Sequence, residues 1–396
     1  MKLPDQNMPG FNLPNLPLVN ALVDRLQSEG FSFEKSAHLI CVQHLLATNI
    51  TLFKSLFELG IDPARTIVLG KGYSDSQRCI DALRELGATV FAAQDPATPG
   101  RYGTRRDEEI KVFWEFVRSR ISSDDESPVF VGDVGGRLML HVSDTLHAGW
   151  TRPHVVAVEQ TSSGLRRVER NTFRLPLVNL ARAAAKCARE SRILANGILE
   201  RIDRESPGNW PNVRACVIGR GSVGNALASA LSARDILFEA FGEDDAGEDE
   251  ALLQEGVKRA DVIFGCTGEA LFDNWPNSAF RDGQVLVSCS SEDIEFSPLL
   301  RLIPEYASSG WPVPHTVIPV GSGTIRILRG GFPINFDDSG VSLPEQEIQI
   351  TTALTLAAFV AAARHAKGAG ADATLIEISD ELQHWIIGQT QGLIGQ

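Results

Sequence analysis

Hydrophobic and polar positions along this chain switch repeatedly between a helical period and short continuous apolar runs. Val19 to Gln27 and Ser36 to Gly60 carry apolar residues at helical spacing, which predicts two helices. Thr66-Ile-Val-Leu-Gly70 is a short apolar run ending in glycine, the pattern of a buried parallel strand. Asp75 to Leu86 then reads as a helix and Ala88 to Ala92 as a strand. Asp107 to Arg118 reads as a helix with acids in its first turn, where they favour the macrodipole. Val129 to Val131 and Val155 to Val158 complete a first set of strands. A second set opens with a long helix, Ala183 to Ile202, and a Pro-rich loop, Glu205 to Pro211. Its strands fall at Arg214 to Ile218, Ile236 to Phe241, Val262 to Cys266, Val285 to Cys289 and Gly323 to Leu328. Pro344 to about Lys367 and Leu375 to Ile387 read as closing helices. No internal repeat is evident. Strands separated by helix-length segments imply parallel βαβ units with right-handed crossovers. The expected fold class is α/β, as two doubly wound domains with a cleft between them.

Composition narrows the function classes. The 396 residues exceed one ordinary domain, and 43% hydrophobic with 22% charged residues is a globular profile. A formal net charge of −13 repels a phosphate polyanion at long range, so no nucleic-acid partner is expected. The six cysteines include no CxxC pair, which suggests buried free thiols in a reducing compartment. Met1 to Leu18 lacks the layout of a signal peptide, and no run approaches eighteen uninterrupted apolar residues. The expected location is the cytoplasm, with no membrane partner.

One motif carries specific chemistry. Cys216-Val-Ile-Gly-Arg-Gly-Ser-Val-Gly-Asn-Ala-Leu-Ala228 runs from an apolar strand through G-x-G-x-x-G directly into an Ala-rich helix. Gly219 permits the tight turn, Gly221 lets the backbone approach a diphosphate, and Gly224 lets the helix pack on the sheet. Ser222, Val223 and Gly224 open the helix whose free amides and dipole would hold the anion. With both strand and helix in place, the motif predicts a dinucleotide-binding Rossmann domain. An acid at the end of the next strand would bind the adenosine ribose. Ile236-Leu-Phe-Glu-Ala-Phe-Gly-Glu243 offers Glu243, with Glu239 as a competitor. An acid there favours NAD over NADP, although Arg220 within the loop pulls the other way. Thr267 and Gly268, in the turn after Val262 to Cys266, could lie along the cofactor.

Other candidates sit at predicted strand ends. Asp133 precedes Gly135 and Gly136 after an apolar strand, and His44 sits early in the helix expected at Ser36 to Gly60. Tyr73, Ser74 and Ser76 follow the strand at Thr66 and could line a substrate pocket, Ser74 or Asp75 being also an ordinary helix cap. Lys71 stands in Leu69-Gly-Lys-Gly-Tyr73, which does not meet the phosphate-loop pattern. His141 and His147 are off same-face helical spacing and have no cysteine pair beside them, so no metal site is expected. G-x-S-x-G does not occur.

The order of these motifs, from His44 to Val360, resembles the S-adenosylhomocysteine hydrolase (adenosylhomocysteinase) family. Gly219-Arg-Gly-Ser-Val-Gly224 resembles its NAD loop, and Thr267-Gly268 its turn over the cofactor. Asp282 to Phe296 resembles the strand and loop that follow. Glu159-Gln-Thr-Ser-Ser-Gly164 resembles a Glu-Glu-Thr-Thr-Thr-Gly stretch, which gives Thr161, Ser162 and Ser163 a role on the nicotinamide side and Gln160 one toward substrate. Asp133-Val-Gly-Gly136 resembles a substrate loop, Gln43-His44 a helix start at the substrate pocket, and Arg329 to Asn335 a turn whose asparagine contacts the nicotinamide amide.

The resemblance implies NAD held in a central domain, here residues 186–343, inserted in a split substrate domain formed by residues 1–185 and 344–396. It implies a homo-oligomer in one-carbon metabolism, with His44 and Asp133 in catalysis. The family reaction transiently oxidises a ribose 3′-hydroxyl, which acidifies the C4′ proton and allows elimination of a 5′ thioether. This chain departs from the pattern: Ala184 and Ala188 stand where the family has a Lys and an Asp, and Lys186 and Glu190 keep the spacing two residues out of register. Ser291 and Val341 fall at or near two family histidines, and Gln160 at an acid. Elimination needs acid/base groups that these positions would supply. The expectation is therefore a nucleoside-type or other hydroxylated small-molecule substrate with altered chemistry. The alternatives are a catalytically silent NAD-binding homologue with a regulatory role and a 2-hydroxyacid-type dehydrogenase.

Overall fold

The computed structural model describes residues 7–8, 11–91, 93, 100–122, 124–147, 154–205, 212–242, 250–303, 313–336, 340–368 and 374–394. The chain divides into two compact units. Unit 1 takes Met1–Gln94, Asp107–Ala188 and Ser339–Gln396, and unit 2 takes Asp95–Arg106 and Arg189–Asp338.

In chain order, the strands begin with a two-residue antiparallel pair, β1 (Asn7–Met8) and β2 (Phe11–Asn12). Unit 1 continues with β3 (His38–Val42), β4 (Thr66–Leu69), β5 (Thr89–Phe91), β6 (Val129–Asp133), β7 (Val155–Glu159) and β8 (Leu177–Asn179). Unit 2 holds β9 (Arg214–Ile218), β10 (Leu237–Phe241), β11 (Val262–Gly265), β12 (Val285–Ser288), β13 (Thr316–Val320) and β14 (Gly323–Ile327). A short β15 (Leu375–Ile376) returns to unit 1. The fold is mixed α/β with parallel sheets.

The unit 1 sheet has the order β15-β8-β7-β6-β3-β4-β5, with every pair parallel. Strands β3, β6 and β7 are buried at every position because helices cover both faces. Ile40, Val131 and Ala157 pack with Phe113 and Val117 of one helix, Tyr102–Arg120, and Met139 of another, Arg137–His147. Across the sheet the helix Glu345–Gly368 presents Phe359, whose ring lies 2.7 Å from where a Cβ on Gly132 would stand. That helix is long and apolar enough to cross a membrane, yet it is mostly buried inside the unit.

Strand order reverses between β3 and β6. Neighbouring strand ends diverge at such a switch point, and open α/β sheets place ligands in the resulting crevice. The unit 2 sheet, β10-β9-β11-β12-β14-β13, has its reversal between β9 and β11, with β13 antiparallel to β14.

Three local expectations need correction. Ser36 to Gly60 is not one helix: His38–Val42 is β3, and the helix is Ala47–Glu58. A five-residue strand buried on both faces has no period of its own, so it merged with the helical signal beside it. Likewise Leu375–Ile376 is a strand, and the last helix is Asp380–Ile394. The helix expected from Asp107 begins at Tyr102, so its acids lie beyond the first turn and gain little from the dipole.

Candidate functional site

In unit 2 the glycine loop stands at the end of β9, beside the switch point. Gly219 has φ +110°, and its N–H donates to the Phe241 carbonyl at 2.8 Å. A Cβ on Gly219 would lie 2.7 Å from the Cys266 carbonyl, so the turn closes against the end of β11. A Cβ on Gly224 would collide with the Gly219 carbonyl oxygen, which fixes the helix Ser222–Ser232 tightly against the loop. Gly221 differs: among the described residues, its chain neighbours and own helix backbone apart, no atom lies within 4 Å of a Cβ built there. It is the N-cap of that helix and makes no side-chain cap bond. Ser222 and Gly221 are exposed, so the first-turn amides open outward, as an anion cradle requires.

Around this cradle the second-strand acids differ in fate. Glu243 lies outside the described residues. Glu239 lies opposite Cys216, two residues before the end of β10, and accepts from Arg259 at 3.0 and 2.7 Å. That hydrogen-bonded arginine holds the Glu239 carboxyl below its ordinary value. The competitor is thus engaged in a surface ion pair away from the strand end. Arg220 lays its aliphatic stem across Gly242, 3.1 Å from a Cβ built there.

Thr267 and Gly268 form the turn after β11. Both are bound to Glu295, which lies in the stretch Asp282 to Phe296 but carries no site role from the sequence. Glu295 is fully buried; it accepts from the Thr267 hydroxyl at 2.9 Å, the Gly268 amide at 2.7 Å and the Ser290 hydroxyl. Asn335 is buried after the turn Leu328–Gly331. Arg329 of that turn has φ +50°. Its N–H donates to His315 Nδ1 at 3.1 Å, which assigns the ring proton to Nε2. His315 Nε2 and the Arg329 guanidinium meet the Glu205 carboxylate at 2.8 and 2.9 Å, at the end of the helix Ala184–Glu205. Burial raises the Glu205 pKa, but these partners outweigh it and leave the carboxyl below its ordinary value.

In unit 1 the candidates gather at the C-terminal ends of β3, β4, β6 and β7. His44 follows β3 in the loop ahead of its helix, a correction to its expected place within one. Its Nδ1 pairs with the Ser74 hydroxyl at 2.5 Å, and its ring meets Tyr73 edge-on with centroids 5.7 Å apart. Asp75 organises the turn: its carboxylate accepts from the amides of Lys71 at 2.9 Å, Gly72 at 2.8 Å and Leu45 at 3.3 Å. Ser76, not Ser74 or Asp75, is the N-cap of the next helix, without a side-chain cap bond. Lys71, outside any phosphate-loop pattern, is 1% exposed and donates from Nζ to the Val134 carbonyl at 2.9 Å. It spans the end of β3, the strand between β4 and β6.

Asp133 ends β6, and its Oδ2 accepts from the Met139 amide at 3.1 Å. Glu159 ends β7 as its register partner and is fully buried. Glu159 Oε1 accepts from the Thr161 amide at 2.7 Å, the Thr161 hydroxyl at 2.6 Å and the Gly135 amide at 3.2 Å, whereas Oε2 has no hydrogen-bond partner among the described residues. Burial, and then the neighbouring Asp133 charge, push the Glu159 carboxyl up to about 8. Thr161 caps the helix Ser162–Glu169 by accepting from the Gly164 amide, and Ser163 leans on the Thr161 hydroxyl at 3.3 Å. Gln160 bonds from its amide to the Asp133 carbonyl at 3.3 Å. A histidine with a hydroxyl, a buried ammonium and a carboxyl pair can move protons and hold hydroxyl groups. Among the described residues no cluster of three or more His, Cys, Asp or Glu side chains could hold a metal ion.

No protein-family model matches the chain. Two uncharacterized proteins from two strains of Mycobacterium tuberculosis are 29% identical to it over 352 residues, 87% of this chain. The chain spans 66% of the length of these curated relatives, just under two thirds. Among solved structures, a dipicolinate synthase polypeptide from Bacillus halodurans is similar over 65% of this chain and 84% of its own, with a TM-score of 0.38 and 11% identity. The bifunctional enzyme FolD, a methylenetetrahydrofolate dehydrogenase/cyclohydrolase from Campylobacter jejuni, is similar over 88% and 94%, with a TM-score of 0.25 and 15% identity.

Proposed function

We propose that this chain binds NAD on the unit 2 glycine loop. It uses the coenzyme to oxidise transiently a nucleoside-type or other hydroxylated small molecule, as an adenosylhomocysteinase-like protein with altered chemistry. The observation that carries the reading is the Gly219–Gly224 loop. Two of its glycines are required by backbone contacts, and the third, Gly221, opens onto free space at a switch point. A third glycine with no described neighbour to require it supports a ligand at that position.

When bound, NAD supplies a reversible two-electron acceptor for an alcohol; the protein must handle the protons. Substrate belongs to unit 1 in this reading. There His44, held by Ser74, and Asp133, beside Glu159, are the groups that take and return protons, with Tyr73, Ser74 and Gln160 lining the substrate. Thr161, Ser162, Ser163 and Asn335 are assigned to the nicotinamide side, Thr267 and Gly268 to the cofactor's path, and Glu243 to the adenosine ribose. Ordinary hydrolysis of S-adenosylhomocysteine is not part of the proposal. The protein is a cytoplasmic homo-oligomer that takes no nucleic acid and no membrane.

A second reading, a catalytically silent NAD-binding homologue, draws on Ala184, which begins the long helix where the resembled family has a lysine. One experiment separates the two. The purified protein is assayed for co-purified NAD and then incubated with S-adenosylhomocysteine, adenosine and other nucleosides while NADH absorbance is followed. NADH build-up with a nucleoside supports the enzyme. Bound NAD that no alcohol reduces supports the silent homologue, and turnover of a 2-hydroxy acid would replace both.

A further inference from the structure

Glu295 places a carboxylate beneath the strand ends of the unit 2 crevice. Its side chain reaches there because β11 ends in glycine: a Cβ on Gly265 would stand 2.8 Å from Glu295 Oε2. The donors on it are two hydroxyls, Thr267 and Ser290, and one amide, Gly268. Thr267 Oγ1 also accepts from the Glu269 amide at 3.1 Å and lies 3.1 Å from the Glu269 carbonyl, so its one proton is shared between that carbonyl and Glu295. Such neutral donors hold a carboxylate in place without cancelling its charge. Burial outweighs these donors and leaves the Glu295 carboxyl above its ordinary value, so its charge is read on the alkaline side of neutral. The neighbouring Asp293 faces elsewhere, accepting from the amides of Gly100 at 2.6 Å and Tyr102 at 3.4 Å.

The position of this charge matters once a dinucleotide is considered. A diphosphate on the Gly219–Gly224 loop puts the adenosine half toward the second strand, β10, and the nicotinamide half toward β11 and β12. Glu295 lies on the second side. The oxidised nicotinamide ring is cationic and the reduced ring is neutral. A fixed, buried carboxylate attracts the cationic ring more than the neutral one, and it needs no rearrangement to do so.

We propose that Glu295 makes this crevice select the oxidised, positively charged form of the nicotinamide coenzyme over the reduced form. The inference rests on the dinucleotide reading above. It suits a coenzyme that is reduced and reoxidised within one turnover, since the resting protein must hold the oxidised form.

The test is direct binding to the full chain, freed of nucleotide, by calorimetry at pH 8 with NAD+, NADH and ADP-ribose. ADP-ribose lacks the nicotinamide ring and so reports on the loop alone. The wild-type protein is expected to bind NAD+ severalfold more tightly than NADH. In Glu295→Gln that ratio should fall about tenfold, the order expected for one buried unit charge acting across several ångströms. ADP-ribose affinity should stay within about twofold of wild type. Tighter wild-type binding of NADH overturns the inference without any variant, which covers the case of E295Q failing to fold. A well-folded E295Q with unchanged ADP-ribose binding and an unchanged ratio also overturns it. Failure of the wild type to bind all three ligands removes the dinucleotide reading itself, and this inference with it.

Discussion

Asp133 and Glu159 are register partners on neighbouring parallel strands, and each is the last residue of its strand. Two carboxyl groups so placed cannot both carry charge cheaply in a buried site, so one of them keeps its proton into the neutral range. Glu159 is that group. Its Oε2, without a hydrogen-bond partner among the described residues, and its raised pKa make it the natural proton store beside Asp133.

This gives a stability profile with a definite sign. The folded Glu159 carboxyl titrates near 8, against an ordinary value of 4.5. Between those values the folded protein binds more protons than the unfolded chain, so its stability falls as pH rises. Glu159→Gln removes this contribution. Denaturant melts from pH 4.5 to 8 should show a shallower decline for E159Q than for wild type.

Packing around the same carboxyl is tight. A Cβ on Gly164 would collide with the Glu159 carboxylate, at the helix start that Thr161 caps. Gly164→Ala should therefore cost about 1–3 kcal/mol through overpacking. Urea melts check this, and a neutral result would show that Glu159 can swing away.

In unit 2 the Arg329 turn depends on Glu205. The carboxylate binds both Arg329 and His315, with side chains 19% exposed at Glu205 and 18% at Arg329. Removing it leaves a half-buried guanidinium without that partner in a backbone conformation that disfavours arginine. Glu205→Ala should lose roughly 1–3 kcal/mol, less than a fully buried pair because solvent screens part of the charge. Glu205→Gln should retain about half, since the amide oxygen still accepts one bond. Chemical denaturation of both variants measures the difference.

The sequence revealed the glycine loop because its signal is local: strand, turn and helix are contiguous, and each glycine answers to a neighbour a few residues away. The α/β class was legible for the same reason, through short apolar runs alternating with helical periods. Strand β3 was hidden because a fully buried strand lacks a polar face to mark its ends. Strand β13 was hidden by Pro319, a residue tolerated there because the strand lies at the sheet edge. Glu159 and Glu295 fell within stretches that the resemblance covers yet received no site role, because an acid in a sequence reads as solvated and only the fold shows it to be enclosed. The pairing of His44 with Ser74 spans thirty residues, and it exists only because β3 and β4 are neighbours in the sheet.

Calorimetric titration of NAD into wild type and Gly221→Ala tests whether the glycine loop is a backbone cradle for a dinucleotide diphosphate. Gly221 has φ −73°, which alanine adopts freely, and open space where a Cβ would go, so the variant should melt within about 2 °C of wild type. Its NAD affinity should nevertheless fall about tenfold or more, because the added methyl occupies the ligand's approach. Equal affinity in the two proteins, or no NAD binding by wild type, would contradict the account.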